Sequence, residues 1–193
     1  WLSTETTAGL ERVDISENPI GGEGGTALVD AIPSSSLKTI KIGTSFEVTI
    51  NECSGAALDC SNQKLGPGQL VVLSWWLSTE DTAGVDRVDI TGNQLGDSVG
   101  SLIDVFQKHA RIRTMLGIEE GTVHLDFSNR KLDPAYVRLL AVELESSRAT
   151  AGVAEVDISG NPISGAESYI DDGYAGWKNE DSDLSGVEHL CAA

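Results

Sequence analysis

WLSTETTAGLERVDISENPI, residues 1–20, recurs as WLSTEDTAGVDRVDITGNQL, residues 76–95, with 13 of the 20 positions identical. Two explanations are open for such a duplication: a reused reactive site and a reused structural unit. Internal repeats with a period of about 20–50 residues indicate a coil of stacked units. The position and spacing of further copies therefore decide between the two explanations.

Further copies fit the frame L-x-x-L-x-L-x-x-N-x-L, with Val or Ile accepted for Leu. Three fill it completely: LERVDISENPI (10–20), VDRVDITGNQL (85–95) and VAEVDISGNPI (153–163). Two keep its last apolar positions but carry Gln63 and Arg130 in the Asn position: GAALDCSNQKL (55–65) and TVHLDFSNRKL (122–132). Two more strand-like starts are LKTIKI (37–42) and VEHLCA (187–192). Because apolar and polar residues alternate, each copy predicts a short strand.

On these segments the chain resembles leucine-rich repeat proteins of the long-repeat type typified by ribonuclease inhibitor. The resemblance implies an α/β fold, a right-handed solenoid with parallel strands on its concave face and helices on its convex face. It also implies that one Asn per turn satisfies backbone groups at the bend, and the matching residues are Asn18, Asn93 and Asn161. The conformation of the bends at Gln63 and Arg130 stays open, because neither residue matches that Asn.

The segments between strands have apolar residues at helical spacing. They predict helices after Ile20, from Pro67, after Leu95 with Asp97 or Ser98 as the cap, and from Pro134. Gly84 and Gly152 are predicted to end two of these helices in a left-handed conformation.

The spacing of the last apolar strand positions supports stacked turns. Ile15 to Ile42 is 27 residues, Cys60 to Ile90 is 30, and Phe127 to Ile158 is 31. Residues 43–57 and 112–124 are too short for a turn with a helix, so helix-free turns or hairpin-like excursions are predicted there, with TSFEVTI (44–50) as an extra strand. The duplicated segment is therefore architecture. We predict a single domain over residues 1–193 with an irregular crossover at about 165–186.

One position of each strand faces away from the core, because neighbouring residues alternate between faces. It holds Asp14, Lys41, Asp59, Asp89, Asp126 and Asp157, and Ser or Thr follows each Asp two residues later. Adjacent carboxylates repel by on the order of 1 kcal/mol in a water-like dielectric. Two interpretations are open: a docking strip for a basic protein segment or a loose cation site, and a repeat feature in which Asp and Ser satisfy local hydrogen bonds.

The charge balance restricts the class of partner. The formal net charge is −17 and the isoelectric point is about 4.3, which disfavours nucleic acid and anionic membranes. Three cysteines without metal-ligand spacing argue against a disulfide framework, so we expect an intracellular, cytoplasmic location. The apolar run LVVLSWWL (70–77) is too short for a membrane span, and no signal peptide is recognisable.

The residues of reactive types do not form a catalytic pattern in the sequence. His109, His124 and His189 fall in different repeats, and GGEGG (21–25) lacks the Lys-Ser/Thr ending of a phosphate-binding loop. Cys60 occupies an inward apolar position, which favours a buried, inert thiol. Trp1 and Trp76 are predicted to pack against the neighbouring turn. We expect no enzyme activity, no cofactor and no metal.

The leading hypothesis is a non-catalytic scaffold that binds another protein, as a subunit of a larger assembly. The alternatives are a mainly structural subunit and, by similarity of repeat type, a GTPase-activating regulator of the Ran type. Neither end of the chain reads as the polar cap that a solenoid needs, so we expect either a segment of a longer solenoid or a subunit with neighbours at both ends.

Overall fold

The computed structural model describes residues 9–171, 174–179 and 181–193. The chain divides into two compact units, Trp1–Gly117 and Ile118–Ala193, and the single domain stays a prediction. Trp1 of the duplicated segment lies outside the described residues. Within the described ranges, every helix is too short or too polar to cross a bilayer.

In the first unit, short strands alternate with returning helices, as the repeat frame predicts. The strands are β1 (Arg12–Asp14), β2 (Thr39–Lys41), β3 (Glu47–Thr49), β4 (Ala57–Asp59) and β5 (Arg87–Asp89). The helices are α1 (Gly22–Ala31), α2 (Pro67–Leu77) and α3 (Val99–Lys108). Strand β1 pairs with β2 and β4 pairs with β5, both in parallel. Parallel pairing across a returning helix is the geometry expected of stacked β-α turns.

The second unit repeats this design. Its elements are β6 (His124–Asp126), α4 (Pro134–Ser146), β7 (Glu155–Asp157), β8 (Glu167–Asp171), β9 (Tyr174–Lys178) and α5 (Ser185–Ala192). Strand β6 pairs with β7 in parallel, so that Asp126 lies beside Asp157. Pro67 and Pro134 are the first residues of α2 and α4, which confirms both predicted helix starts.

In the first unit, the residue at the last apolar strand position points into the interior. Ile42, Cys60 and Ile90 are fully buried in the first unit. Helix α2 is apolar on nearly all sides because it packs against both α1 and α3. Trp76 on this helix is buried, its ring lies edge-on to Phe46 at 6.3 Å between centroids, and its indole N–H donates to the Thr49 carbonyl at 3.1 Å. The packing role predicted for Trp76 is therefore confirmed.

The two short intervals contain the helix-free excursions that were predicted. Strand β3 runs antiparallel to β2, inside the predicted TSFEVTI strand. In the second interval, residues 112–116 run beside β5, where the Val88 and Ile90 N–H groups donate to the Thr114 and Met115 carbonyls at 2.9 and 3.0 Å. The backbone of each excursion hydrogen-bonds to the edge of a parallel strand: β3 to β2, and residues 112–116 to β5.

The C-terminal predictions were wrong. VEHLCA lies in α5 and is not a strand. The region predicted as an irregular crossover contains an antiparallel pair, β8 and β9, followed by that helix. At the base of the pair the Asp183 N–H donates to the Ser164 carbonyl at 3.0 Å, and the Ser182 hydroxyl donates to the Gly165 carbonyl at 2.8 Å. The hairpin is thus an insertion between the bend after β7 and its helix.

Helices α2 and α4 end earlier than predicted, at Leu77 and Ser146. The Thr82 hydroxyl donates to the Leu77 carbonyl at 3.0 Å, and the Thr150 hydroxyl donates to the Glu143 carbonyl at 2.9 Å. Each Thr is the first residue of the sequence Thr-Ala-Gly-Val, and its hydroxyl satisfies a carbonyl at the end of the helix. Gly84 and Gly152 therefore lie beyond the helix cap, and the prediction that they end the helices was wrong. The left-handed residue after α4 is Ser147, with φ 53°.

The predicted side-chain cap of α3 was also wrong. A 3-10 turn, Gly96–Ser98, precedes the helix, and the helix start has no side-chain cap hydrogen bond. The Ser98 hydroxyl donates instead to the Pro67 carbonyl at 2.9 Å, and so joins two turns.

Gly92 offers a test of how consecutive bends stack. Its φ is +74°, and a Cβ built on it would lie 2.2 Å from Asn62 Oδ1 of the preceding bend. Gly92→Ala should lower the free energy of unfolding by roughly 1–3 kcal/mol, because alanine adds both backbone strain and this clash. Urea unfolding measures the change. Gly84→Ala is the matched control, since nothing lies within 4 Å of its added Cβ; equal effects of the two substitutions would contradict the stacking.

Candidate functional site

Asn93 joins two consecutive turns through its side-chain amide. Its Nδ2 donates to the Ile90 carbonyl of its own turn at 2.7 Å and to the Cys60 carbonyl of the preceding turn at 2.8 Å. Its Oδ1 accepts from the Gln63 and Leu65 N–H groups of the preceding bend at 3.1 and 3.0 Å. The amide is buried, so these four hydrogen bonds satisfy backbone groups that lie away from water.

Asn161 makes the same set of bonds in the second unit. Its Nδ2 donates to the Ile158 and Phe127 carbonyls, both at 2.8 Å. Its Oδ1 accepts from the N–H groups of Arg130 and Leu132 at 2.8 and 3.0 Å. The role predicted for the repeat asparagine thus extends over two bends. Sequence reasoning assigned it to one bend alone.

Asn18 differs from the other two because it is exposed. Its Nδ2 donates to the Ser16 carbonyl of its own turn at 3.1 Å. The Ile15 and Asn18 carbonyls accept from the buried side chain of Gln69 in α2, at 3.1 and 2.8 Å. A glutamine from the helix therefore supports this bend where asparagine supports the others.

The bends at Gln63 and Arg130 form without their own Asn. In each, two residues adopt a left-handed conformation: Asn62 and Lys64 in one, and Asn129 and Lys131 in the other, with φ between 53° and 59°. The following turn supplies the missing support, since Asn93 and Asn161 accept from these bends. The sequence contained a signal for these left-handed bends. Ser-Asn-x-Lys occurs in both copies that have no Asn at the ninth position of the repeat frame.

The outward-facing aspartates bond to residues two positions later. Asp14, Asp59 and Asp126 each accept, through Oδ1, from the backbone N–H and the hydroxyl of Ser16, Ser61 and Ser128, at 2.6–3.0 Å. Asp89 accepts in the same way from Thr91. Asp157 accepts from the Ser159 N–H at 2.8 Å. We call this set of outward-facing strand positions the aspartate column. Its contacts are those of the second interpretation, in which Asp and Ser satisfy local hydrogen bonds.

These bonds stabilise the charged form of the carboxylates. The Ser16 hydroxyl and N–H, aided by Lys41, lower the pKa of Asp14 to about 2. The Ser61 and Ser128 hydroxyls lower the pKa values of Asp59 and Asp126. All three side chains are at the surface. Asp14, Asp59 and Asp126 are therefore ionised at neutral pH.

The six predicted residues are not equally accessible. Asp14 lies beside Lys41, whose Nζ is 3.3 Å from Asp14 Oδ2. Asp59 lies beside Asp89, but Asp89 is half-buried, and a Cβ added to Gly117 would lie 2.7 Å from its Oδ2. In the second unit Asp126 and Asp157 lie side by side, and both are exposed. Among the described residues, the exposed carboxylates of the column that form no ion pair within 4 Å are therefore Asp59, Asp126 and Asp157.

The reactive residue types have local structural roles. Cys60 is fully buried, and desolvation strongly raises the pKa of its thiol. His109 Nδ1 is 2.7 Å from the Arg111 guanidinium, and His124 Nδ1 is 2.9 Å from Glu155 Oε2. In GGEGG, Gly25 is a packing residue of α1, since a Cβ there would lie 2.5 Å from the Gly68 carbonyl. Across the residues that the structure describes, no group of three His, Cys, Asp or Glu is placed to hold a metal ion.

The family comparison agrees with this geometry. A leucine-rich repeat family model matches residues 10–29, which comprise β1, its bend and most of α1. Comparison with curated proteins and comparison with solved structures each gave no significant match. The match, the mixed α/β content and the parallel strands support a leucine-rich repeat protein.

Asn93 provides a test of the amide that joins two turns. Asn93→Ala should lower the free energy of unfolding by roughly 2–4 kcal/mol, because it leaves buried backbone groups of two bends without partners. Asn18→Ala should change it by less than about 0.5 kcal/mol, because Asn18 is exposed and bonds to its own turn. Urea unfolding of both variants measures the difference. Similar losses would mean that the inter-turn bonds are not the source of stability.

The Asp-Ser contact can be tested by titration. Ser16→Ala should raise the pKa of Asp14 from about 2 toward its ordinary value near 4, because the hydroxyl is the largest cause of the shift. Since the folded pKa lies below the unfolded one, the stabilisation is complete above about pH 4 and is lost as the pH falls through 2. Side-chain carboxyl NMR measures the pKa, and an unchanged value in the variant would contradict the assignment.

Proposed function

We propose that this chain is a non-catalytic leucine-rich repeat scaffold that binds another protein through the outward face of its strands. Leucine-rich repeat domains commonly mediate protein–protein interaction, and the match at residues 10–29 supports membership of that class. The observation that carries the proposal is the exposed carboxylate at the equivalent strand position in each unit: Asp59 in the first unit, and Asp126 and Asp157 in the second.

The turns are proposed to stack as a right-handed solenoid of the ribonuclease-inhibitor type. Parallel pairs in which equivalent positions lie side by side support this arrangement. So do the returning helices α1, α2 and α4, and the 27 to 31 residues between strands that are joined by a helix. Turns of about this length are typical of the long-repeat type.

The partner is proposed to present a basic surface or segment. The net charge of −17 favours cationic partners by long-range attraction. Near the strands, Asp59 and Asp126 use Oδ1 for the Ser contact. A carboxylate has two oxygens, so the local bond leaves Oδ2 able to accept from a Lys or Arg of the partner.

A non-catalytic role fits the surroundings of the reactive residue types. The Cys60 thiol is buried with a raised pKa, which makes it a poor nucleophile. His124 Nδ1 is 2.9 Å from Glu155 Oε2 at the surface, and His189 Nδ1 is 2.6 Å from the Ser185 carbonyl within α5. Free thiols at all three cysteines fit a reducing compartment, and an intracellular location is proposed on that basis.

Removing the charge while keeping the hydrogen bond tests the proposed face. Asp59→Asn, Asp126→Asn and Asp157→Asn, combined in one variant, retain an oxygen that accepts from the following residue. In pull-downs from the native source, quantified by mass spectrometry, a true partner should be captured at least about fivefold less by this variant than by the parent chain, as expected from losing about 1 kcal/mol. Raised salt should weaken its capture by the parent chain in the same direction.

The matched control changes the net charge equally at other exposed positions: Glu23→Gln, Glu52→Gln and Glu188→Gln. Capture of the partner should be unchanged by this control. If the strand-face variant captures the same proteins in the same amounts as the parent chain, the proposed face is wrong and a mainly structural subunit is favoured.

A further inference from the structure

The turn that contains β7 has less of its apolar side covered than its counterpart in the first unit. Around β5, the residues at the apolar repeat positions are all fully buried: Val85, Val88, Ile90 and Leu95. Around β7, the residues at the same positions are only partly buried: Val153, Val156, Ile158 and Ile163. Residues 112–116 run along β5 and hydrogen-bond to it, whereas β7 pairs with β6 alone among the described strands. Among the described residues, strand β7 therefore presents an apolar edge whose backbone groups have no hydrogen-bond partner.

Strand β1 presents the complementary edge. It pairs with β2 alone among the described strands, and Leu10, Val13 and Ile20 of its turn are half-exposed. In the next turn Ile40 and Ile42 are buried. A small apolar cavity opens inside this turn, lined by Val13, Ile15, Leu28, Ile32, Leu37, Ile40 and Val72. Both edges thus expose apolar interior residues. The free edge of β1 is the one that would pair with a preceding strand, and the free edge of β7 is the one that would pair with a following strand.

The asparagine amides give the edges matching polar groups. Asn93 and Asn161 each accept two N–H groups from the preceding bend. Asn18 has no such donors among the described residues. The bend after β7 has those donors in the equivalent places, the N–H groups of Asn161 and Ile163, and no described hydrogen bond uses them. The β1 edge therefore holds the acceptor of such a joint, Asn18 Oδ1, and the β7 edge holds its two N–H donors.

We propose that a second copy of this chain docks here, with its β1 paired in parallel with β7 of the first copy. In the register of the internal pairs, Glu155 then lies beside Arg12, and Val156 beside Val13. The first pair has opposite charges and the second is apolar. Asp157 would lie beside Asp14, as Asp59 already lies beside Asp89.

The bends are also sterically compatible in this register. Within the chain, the Asn62 side chain occupies the space beside Gly92, and Asn129 lies against Gly160 in the same way. At the proposed joint Gly160 precedes Glu17, which is left-handed with φ 57°. Gly160 has no side chain to collide with Glu17, so the larger residue is tolerated at that position.

This contact is head-to-tail. A dimer formed through it keeps one free β1 edge and one free β7 edge, so association continues beyond the dimer or closes into a ring. The proposal goes beyond the scaffold function because it uses the strand edges, whereas a basic partner would use the outward face. Either proposal can therefore be disproved without affecting the other.

The test is the association state of the full 193-residue chain, measured by sedimentation velocity over roughly a hundredfold range of concentration. Asn18→Arg blocks the β1 edge and Ile163→Arg blocks the β7 edge. Each variant alone should weaken association at least about tenfold, since two hydrogen bonds and an apolar contact are lost. A mixture of the two should restore association as a 1:1 dimer, because one intact β1 edge and one intact β7 edge remain.

Glu52→Gln is the control with the same change in net charge at an exposed excursion residue, and it should associate like the parent chain. Circular dichroism checks folding, and Glu155→Arg replaces Ile163→Arg if that variant unfolds, because the Glu155 side chain is 68% exposed. A parent chain that stays monomeric throughout overturns the proposal. Association that survives the blocking variants, or a mixture that stays monomeric, overturns it equally.

Discussion

The bond on which the rest of this structure depends is the side-chain amide that joins one bend to the next. Asn93 and Asn161 donate to a carbonyl on each side of the joint and accept two N–H groups from the preceding bend. At the Asn93 joint these backbone groups lie in the interior, where an unpaired group is costly. One amide meets that demand for two turns. In the β4–β5 and β6–β7 pairs, the joint lies beyond the strand ends at which Asp59 lies beside Asp89 and Asp126 lies beside Asp157.

The same bond explains why the chain repeats over two turns rather than one. A bend with Gln63 or Arg130 is held by the asparagine of the following turn, so a second asparagine is not needed in each pair. The left-handed position of that bend carries Asn62 or Asn129, and the position after it in the stack carries Gly92 or Gly160. The asparagine of one bend faces the glycine of the next, because the space between two bends has room for only one side chain. A pair of turns is therefore the smallest unit that can be copied intact.

Much of this fold could be predicted from the sequence because its periodic part is local. Alternation identified β1 to β7 but not the β8–β9 pair, and proline marked the starts of α2 and α4. Helix ends were mispredicted because Thr82 and Thr150 satisfy the helix carbonyls through contacts that spacing does not reveal. Helix α5 was mistaken for a strand because VEHLCA fits both periods over so few residues. At the candidate site, the position of the aspartates was predictable, but the cover of Asp89 by Gly117 depends on a non-local excursion.

The aspartate column shows how one side chain serves both architecture and recognition. A carboxylate can accept hydrogen bonds at both oxygens, and here Oδ1 is used by the strand end. The bond lowers the pKa values of Asp59 and Asp126, so their carboxylates stay ionised to a lower pH. Local satisfaction and docking are therefore not competing explanations of the same residues. Because the hydrogen bond also fixes the side chain in place, less conformational entropy would be lost when a partner binds.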